Sequence, residues 1–310
     1  MLRIVIDVFS GRDDPFWEIG GPAARTFLER AAAAPRALNT GPAPSLLGFR
    51  GLAVEIADPA VAAAFGLPAA FRLADGQAED AEASRGFAAD LLALAPPLDG
   101  LRDHALAELP NVPAWRPDPE DRNRGEPQAT GSRDAWPDNA STIADGSCEI
   151  ETGRYNPVFW NGCAFWLRNN NCYAYACNMR VQVASPHEYT PQPGAYSHKT
   201  LLPSLESVRA CALADGAVPR TSCRPAAERP RWLVALVFWP PAASSALWDY
   251  HWYRLQEGGA WAHKPGKTMT TTRDNSGAVI TNPETCDRGR YTVWGGYLYV
   301  PVTMNIAYPS

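Results

Sequence analysis

Eight consecutive apolar residues, Trp232 to Trp239, constrain the fold of this 310-residue chain more than any other feature. The run Trp-Leu-Val-Ala-Leu-Val-Phe-Trp has no polar alternation, which is typical of a central strand buried on both faces. Further strands are predicted after it. Asp249–Leu255 and Ala260–Lys264 flank the turn Gln256–Gly259 and predict a hairpin. Tyr291–Val302 predicts the last strands of the sheet.

Two capped helices are predicted before these strands. Ser204–Ala214 has the pattern of a helix that Gly216 closes. Asn171 is placed to cap another helix, which begins at Cys172. The second half of the chain therefore predicts a helix carrying Cys172, a second helix and a meander of antiparallel strands. The fold class predicted for the whole chain is α+β.

The first 110 residues predict a small α/β or α+β unit of their own. The apolar residues of the first helix recur at helical spacing on one side. The predicted elements are the strands Leu2–Phe9 and Leu52–Ala57 and the helices Ala23–Ala34, Ser84–Leu94 and Leu101–Leu109.

Residues 111–146 change abruptly in composition, because Pro, Asp, Arg, Asn, Gly and Ser dominate them. Such a stretch is typical of a linker or a long surface loop. We therefore predict three parts, which are an N-terminal domain over 1–110, a protease-sensitive linker over 111–146 and a C-terminal domain over 147–310.

Composition limits the partners and the compartment. Hydrophobic residues make up 46% and charged residues 20% of the chain, as in soluble globular proteins. The net charge is −5 and no basic patch is evident, so nucleic acid is not an expected partner. No stretch reaches the length of a membrane span. The apolar start is too short for a signal peptide, so a cytoplasmic location or export without a cleaved signal is expected.

All seven cysteines lie between Cys148 and Cys286, and such clustering favours disulfides or a metal site. The chain has no CxxC pair and no HxxxH pattern, so zinc is not expected, and no cofactor is predicted. The odd number fits three bridges and one free thiol. Cys211 and Cys223 flank a turn that contains glycine, and we expect them to be bridged.

Cys172 is the best candidate nucleophile. At the N-terminus of a helix, unsatisfied backbone N–H groups and the helix dipole stabilise a thiolate. We also expect the side chain of Cys172 to be accessible at such a position. The plain alternative is a cysteine that is buried in the core or bridged.

A cysteine nucleophile needs an imidazole to accept the thiol proton. His104 lies in the other domain, and His187 and His198 lie in a proline-rich stretch that is typical of a loop. His251 and His263 lie on predicted strands, where their orientation can be fixed. If paired residues across the hairpin sum to an even number, the two rings lie on the same face.

These residues resemble a known family. Asn171-Cys172-Tyr173-Ala174-Tyr175-Ala176 looks like the nucleophile helix of NlpC-type and CHAP-type papain-like amidases. The segments beginning His251-Trp252-Tyr253-Arg254 and Trp261-Ala262-His263-Lys264 look like the strand pair that follows it. The resemblance implies a papain-like C-terminal domain with Cys172 as nucleophile, His251 as base and His263 orienting the base. Asp249, Asp274 and Asn275 are alternatives for the orienting role, although Asp274 to Gly277 is most simply a turn.

The resemblance departs from the family in two places. Asn171 stands where NlpC enzymes usually have Asp, and the interval from Cys172 to His251 is longer than usual. A second set of segments is similar to a group of uncharacterised bacterial proteins and implies no activity. Its members here are Phe9–Arg12, Asn170–Tyr173, Asp249–Arg254, His263–Gly266 and Asp287–Gly289.

Two functions are therefore open. In the first, the chain is a cysteine-dependent hydrolase that cleaves a peptide or amide bond through a thioester, with a peptidoglycan-like peptide as the leading substrate. In the second, it is a non-catalytic, disulfide-stapled module that binds a polymer. Its 11 Trp residues could line a groove for sugars or peptides, or simply fill the core.

Overall fold

The computed structural model describes residues 1–115, 118, 133, 141–145, 148–181, 189–221, 229–242 and 246–309. The chain has both helices and antiparallel sheets and is an α+β protein, as the sequence predicts. It divides into two compact units. The first comprises Met1–Phe9, Asp14–Pro117 and Ala242–Leu247, and the second comprises Ser10–Asp13, Asp118–Pro241 and Trp248–Ser310. Most of the expected linker over 111–146 lies outside the described residues.

The first unit contains a four-stranded sheet in the order β2-β1-β3-β4. All of its strand pairs are antiparallel, so of the two classes expected for this unit the structure has α+β and not α/β. The two short outer strands have little alternation and were not predicted. The elements are β1 Leu2–Ile6, β2 Phe16–Ile19, α1 Gly21–Ala33, β3 Leu52–Ile56, α2 Pro59–Ala64, β4 Ala70–Leu73, α3 Ala81–Ala93 and α4 Leu101–Glu108.

The core of the first unit forms where the sequence pattern places it. Helix α1 buries Ala24, Phe27, Leu28 and Ala31, which are three or four residues apart and share one face. The ring of Phe27 stacks against that of Phe71 on β4, with 6.4 Å between the ring centroids.

The second unit is built on a five-stranded sheet in the order β10-β9-β8-β11-β7, and β5 and β6 form a separate hairpin. Strand β8 is central and all nine of its residues are buried, as its apolar run predicts. The elements are β5 Ser141–Asp145, β6 Cys148–Thr152, α5 Pro157–Asn161, α6 Ala164–Asn169, α7 Cys172–Ala176, α8 Leu205–Asp215, β7 Val218–Pro219, β8 Arg231–Trp239, β9 Asp249–Leu255, β10 Trp261–His263 and β11 Val293–Pro301.

Helices α7 and α8 cover one face of this sheet. Ser204 caps α8 through the backbone N–H of Ser207, and Gly216 ends it in the left-handed conformation. The main apolar cluster of the unit joins residues of α7, such as Tyr173, to Val234 of β8 and Trp252 of β9. Among the described residues, no helix is long and apolar enough to cross a bilayer.

Candidate functional site

Cys172 is the first residue of α7, and Asn171 caps this helix as predicted. The Asn171 Oδ1 atom accepts from the backbone N–H groups of Tyr173 at 3.1 Å and Ala174 at 3.2 Å. The expectation that Cys172 is accessible is wrong, because its side chain is 0% exposed. Every residue of α7 is buried, so the capped end lies inside the core rather than at the surface.

The environment of the Cys172 thiol does not favour a thiolate. The Sγ atom donates to the Tyr250 carbonyl oxygen at 4.0 Å. Burial raises the pKa of this thiol well above its ordinary value, and the negative charge of Asp249 raises it further. Helix α7 has five residues, so its dipole offers little compensation. Cys172 is therefore protonated at neutral pH.

His251 lies on the other face of β9 from Cys172. Side chains alternate along a strand, and the neighbours Tyr250 and Trp252 belong to the apolar cluster that contains Cys172. The His251 ring instead packs edge-on against Tyr253, with 4.8 Å between the ring centroids. The structure therefore does not bring the predicted nucleophile and base together, because the backbone of β9 separates them.

His251 and His263 do meet. Strands β9 and β10 pair His263 with Tyr253, so paired residue numbers sum to an even number and both rings share one face. The His251 Nε2 atom lies 2.8 Å from His263 Nδ1. His263 Nε2 lies 2.9 Å from the carbonyl oxygen of Arg273.

The Arg273 carbonyl fixes the protons of this pair. A carbonyl only accepts, so His263 carries its proton on Nε2, and its Nδ1 accepts from His251 Nε2–H. Burial lowers the pKa of His263 to about 4, although the Arg273 carbonyl and the charge of Asp274 oppose the change. Both hydrogen-bonding atoms of the neutral His263 ring are then in use inside the protein.

We expect the buried His263 to make the second unit sensitive to acid. Its folded pKa of about 4 lies below the ordinary 6.5, so the unfolded state binds the proton more readily between these values. The unfolding free energy should therefore fall as the pH drops from 6.5 to 4, by about 3 kcal/mol in total.

Urea unfolding of the intact chain and of His263→Gln at pH 7 and pH 4.5 measures this effect. His263→Gln should lose stability at pH 7 but show a smaller decrease between the two pH values. His198→Gln, in the turn at residues 193–198, is the matched control and should keep the decrease of the original chain. Equal decreases in all three proteins would show that His263 is not the titrating group.

Ser10 is a residue of this site to which the sequence assigned no role. Its Oγ atom lies 3.0 Å from His251 Nδ1, and in the tautomer fixed above the hydroxyl donates to that nitrogen. Strand β10 pairs with Tyr253–Leu255, so the start of β9 extends beyond it. Ser10 contacts this extension, since its Oγ also lies 3.3 Å from the Tyr250 carbonyl oxygen.

Asp249 holds the Ser10–Asp13 segment rather than orienting a histidine. Its carboxylate accepts from the backbone N–H groups of Ser10 at 2.6 Å, Gly11 at 3.2 Å and Arg12 at 2.9 Å. The Tyr291 hydroxyl donates to the same carboxylate at 2.5 Å. The buried charge is thus balanced by four donors, of which three are backbone amides.

Gly11 is required by close packing against β9. A Cβ atom at this position would lie 2.5 Å from the Tyr250 carbonyl oxygen and 2.5 Å from the ring atom Cε2 of the same residue. The Gly11 carbonyl accepts from Asn171 Nδ2 at 2.6 Å and from Gln192 Nε2 at 2.8 Å. The helix cap and the Ser10–Asp13 segment therefore belong to one buried polar network. The sequence signal for it is the set of segments similar to a group of uncharacterised bacterial proteins, which includes Phe9–Arg12, Asn170–Tyr173 and Asp249–Arg254.

The remaining candidates lie away from the histidine pair or serve local structure. Asp274 accepts from the backbone N–H groups of Ser276 and Ala278, so it closes the predicted turn. Asn275 donates its backbone N–H to Asp287. His104 lies on α4 of the first unit, and His187 lies outside the described residues.

The cysteines do not form the expected framework of three bridges. Five of them are free thiols, which are Cys163, Cys172, Cys177, Cys211 and Cys286. The predicted Cys211–Cys223 bridge is therefore wrong, and Cys223 itself lies outside the described residues. The Cys211 thiol instead donates to the carbonyl oxygens of Thr200 and Lys199. Cys148 is disulfide-bonded. Within the described part of the chain, no group of three His, Cys, Asp or Glu residues is arranged to hold a metal ion.

Comparison with known proteins places the chain in a family. It is 37% identical over 149 residues to insoluble matrix shell protein 1 of Ruditapes philippinarum. The aligned region is 47% of this chain and 89% of the shell protein. The chain belongs to the insoluble matrix shell protein 1 family. No family model and no solved structure matches it.

In this member of the shell protein family, nearly half of the chain aligns with nearly all of the relative. The amidase resemblance rests instead on short motifs. The residues of these motifs are present, but in the structure they bind the Ser10–Asp13 segment or pack in the core.

Proposed function

We propose that the chain is a non-catalytic module of an insoluble matrix and that its second unit binds a polymer of that matrix. The observation that carries this proposal is that Cys172 packs against one face of β9, whereas the His251 side chain lies on the other face. A cysteine hydrolase needs the thiol and the imidazole within hydrogen-bond reach of each other. Here the thiol faces the Tyr250 carbonyl and the imidazole faces Ser10 and His263.

Burial of the same groups supports the proposal. Cys172, Ser10 and His251 are each 0% exposed, so a substrate carbonyl would have to displace packed side chains to reach any of them. The raised pKa of the Cys172 thiol is opposite to what a nucleophile requires. Similarity to a protein named for an insoluble shell matrix is the reason for placing the proposed module in a matrix.

Thiol labelling of the native protein tests the proposal. We expect iodoacetamide at pH 7.5 to modify Cys163, which is exposed, and to leave Cys172 unmodified over the same period. Labelling after denaturation should then modify both residues. Peptide mapping by mass spectrometry identifies the modified sites. Cys163 is the built-in control, because it reports on the reagent in the same sample.

The hydrolase would require the opposite order of reactivity. If Cys172 reacts faster than Cys163 at pH 7.5, and His251→Ala slows that reaction, the thiol is activated and the proposal is wrong. If Cys172 remains unlabelled in the native chain, the amidase-like motifs are present without the chemistry of an amidase.

A further inference from the structure

Strand β11 contains a bulge that turns two aromatic side chains to the same face of the sheet. Its register against β8 shifts between Trp294 and Gly296, and Gly296 has a φ of 84°. In a regular strand, residues 294 and 297 would point to opposite faces. The extra residue at the bulge places Trp294 opposite Val237 and Tyr297 opposite Ala235, on the face that carries His251.

Glycine is required for this arrangement. A Cβ atom on Gly295 would lie 2.7 Å from the side chain of Leu236 and 2.9 Å from its carbonyl oxygen. The left-handed conformation of Gly296 is one that other residues rarely adopt. The two glycines of the Trp-Gly-Gly-Tyr sequence therefore allow the two aromatic rings to come together.

The two rings extend into an aromatic row. The Tyr297 ring centroid lies 5.0 Å from that of Trp294 and 5.6 Å from that of Trp261. Trp261 is 5% exposed and forms the base of the row, whereas Trp294 and Tyr297 are partly exposed. Packing against Trp261 fixes the Tyr297 ring, so little side-chain entropy remains to be lost on binding.

A paired acid and base lie beside the row. The Arg220 guanidinium lies 4.8 Å over the Tyr297 ring and forms a two-point ion pair with Asp145. The Tyr299 hydroxyl also donates to Asp145, at 2.8 Å. The Arg220 side chain is 43% exposed and is held in place by Asp145, so it offers hydrogen-bond donors in a fixed position at the edge of the rings.

Charged groups of both signs lie around the row. Arg220 is compensated by Asp145. Arg288 lies 5.9 Å over Trp294, and the charge of Glu284 contributes to the raised pKa of Tyr297, after burial. The ion pair beside the Tyr297 ring carries no net charge, which suits an uncharged ligand better than a polyanion.

We propose that Trp261, Trp294, Tyr297, Arg220 and Asp145, here called the aromatic patch, bind an uncharged polysaccharide. This inference rests on the proposed function and names the class of polymer. A sugar ring presents C–H groups that pack on aromatic faces, and hydroxyl groups that both donate and accept. The patch supplies rings for the first and the Arg220–Asp145 pair for the second, as ligand sites do with a few placed polar groups.

Binding of the intact chain to insoluble polysaccharides tests this assignment. The probes are amorphous cellulose, chitin and xylan, with the bound fraction measured after sedimentation over a range of protein concentrations. We expect binding to at least one of them. Trp294→Ala and Tyr297→Ala should each weaken that binding about tenfold, because truncating a central aromatic contact has effects of this size.

Tyr196→Ala is the matched control, since Tyr196 is 50% exposed in the same unit but outside the patch. It should bind like the original chain, and the melting temperatures of all variants exclude misfolding. Loss of binding in the Tyr196 variant to the same extent would overturn the assignment. So would binding to none of the three polymers, or binding only to the polyanions alginate and heparin. Fast labelling of Cys172 would instead remove the proposed function, so the two failures are distinguishable.

Discussion

Asp249→Ala is expected to lower the unfolding free energy of the second unit by about 4 kcal/mol or more, which is a large part of the stability of a typical domain. The carboxylate is 0% exposed and accepts from three backbone amides of the Ser10–Asp13 segment and from Tyr291. Alanine would leave these donors buried without their acceptor. An unsatisfied buried donor costs about 1 to 3 kcal/mol, so several together decide whether the segment stays in place.

Substitutions of graded size separate the charge from the packing. Asp249→Asn keeps the shape but turns an amide N–H₂ toward backbone donors, so we expect a smaller loss than with alanine. Tyr291→Phe removes one donor and leaves the backbone amides bound to Asp249, with an expected loss of about 1 kcal/mol. The expected order of stability is the original chain, Tyr291→Phe, Asp249→Asn and Asp249→Ala.

Urea unfolding measures the loss of stability in these variants, and labelling of Cys172 measures how accessible its thiol becomes. Loss of the Ser10–Asp13 segment removes a neighbour of the Tyr250 carbonyl, to which the Cys172 thiol donates. Cys172 should therefore label faster in Asp249→Ala than in the original chain. Glu284→Ala, an exposed acid of the same unit, is the control and should change neither quantity. Unchanged stability in Asp249→Ala would mean that the segment is held by other contacts.

Local sequence patterns predicted the main elements of the second unit, although not the β5–β6 hairpin or the short helices α5 and α6. The apolar run predicted β8, observed over Arg231–Trp239, and the glycine turn of the hairpin predicted β9, observed over Asp249–Leu255. Cap residues predicted the helix starts, since the side chains of Ser204 and Asn171 each accept from backbone amides of the first turn. These signals are strong because each depends on residues within one turn or one strand.

The arrangement of the site could not be predicted in the same way. Whether Cys172 and His251 meet depends on which face of β9 the helix covers, and spacing along the chain does not determine that face. Asp249 is bound to Ser10, which lies 239 residues away, so neither residue carries a local sign of the other. The motif resemblance identified residues that belong to one buried network but gave them catalytic roles that the geometry does not support.

Asp14 is expected to make the first unit less stable as the pH rises. Its side chain is 7% exposed, and its Oδ1 atom accepts from the backbone N–H groups of Val8 at 2.9 Å and Phe9 at 2.7 Å. Burial and, after it, the neighbouring charge of Asp7 raise the pKa of Asp14 to about 7. Arg50, 4.0 Å away, opposes the change, but this guanidinium is already paired with Asp7.

The direction of the pH dependence follows from these values. The folded pKa of about 7 lies above the ordinary 3.8, so between them the folded state binds the proton more readily than the unfolded state. The unfolding free energy should therefore fall as the pH rises through this window and level off above it. The full difference corresponds to about 4 kcal/mol.

Asp14→Asn removes the ionisation while its side-chain oxygen still accepts from Val8 and Phe9. We expect this variant to be more stable than the original chain at pH 8 and nearly equal to it at pH 4. Urea unfolding followed by hydrogen-exchange mass spectrometry of peptides from β1 and β3 reports on the first unit alone. Asp103, whose side chain is 72% exposed, provides the control. Asp103→Asn should have the same unfolding free energy as the original chain at either pH. If the unfolding free energy of Asp14→Asn exceeds that of the original chain by the same amount at both pH values, the amide acts through packing and Asp14 is ionised throughout.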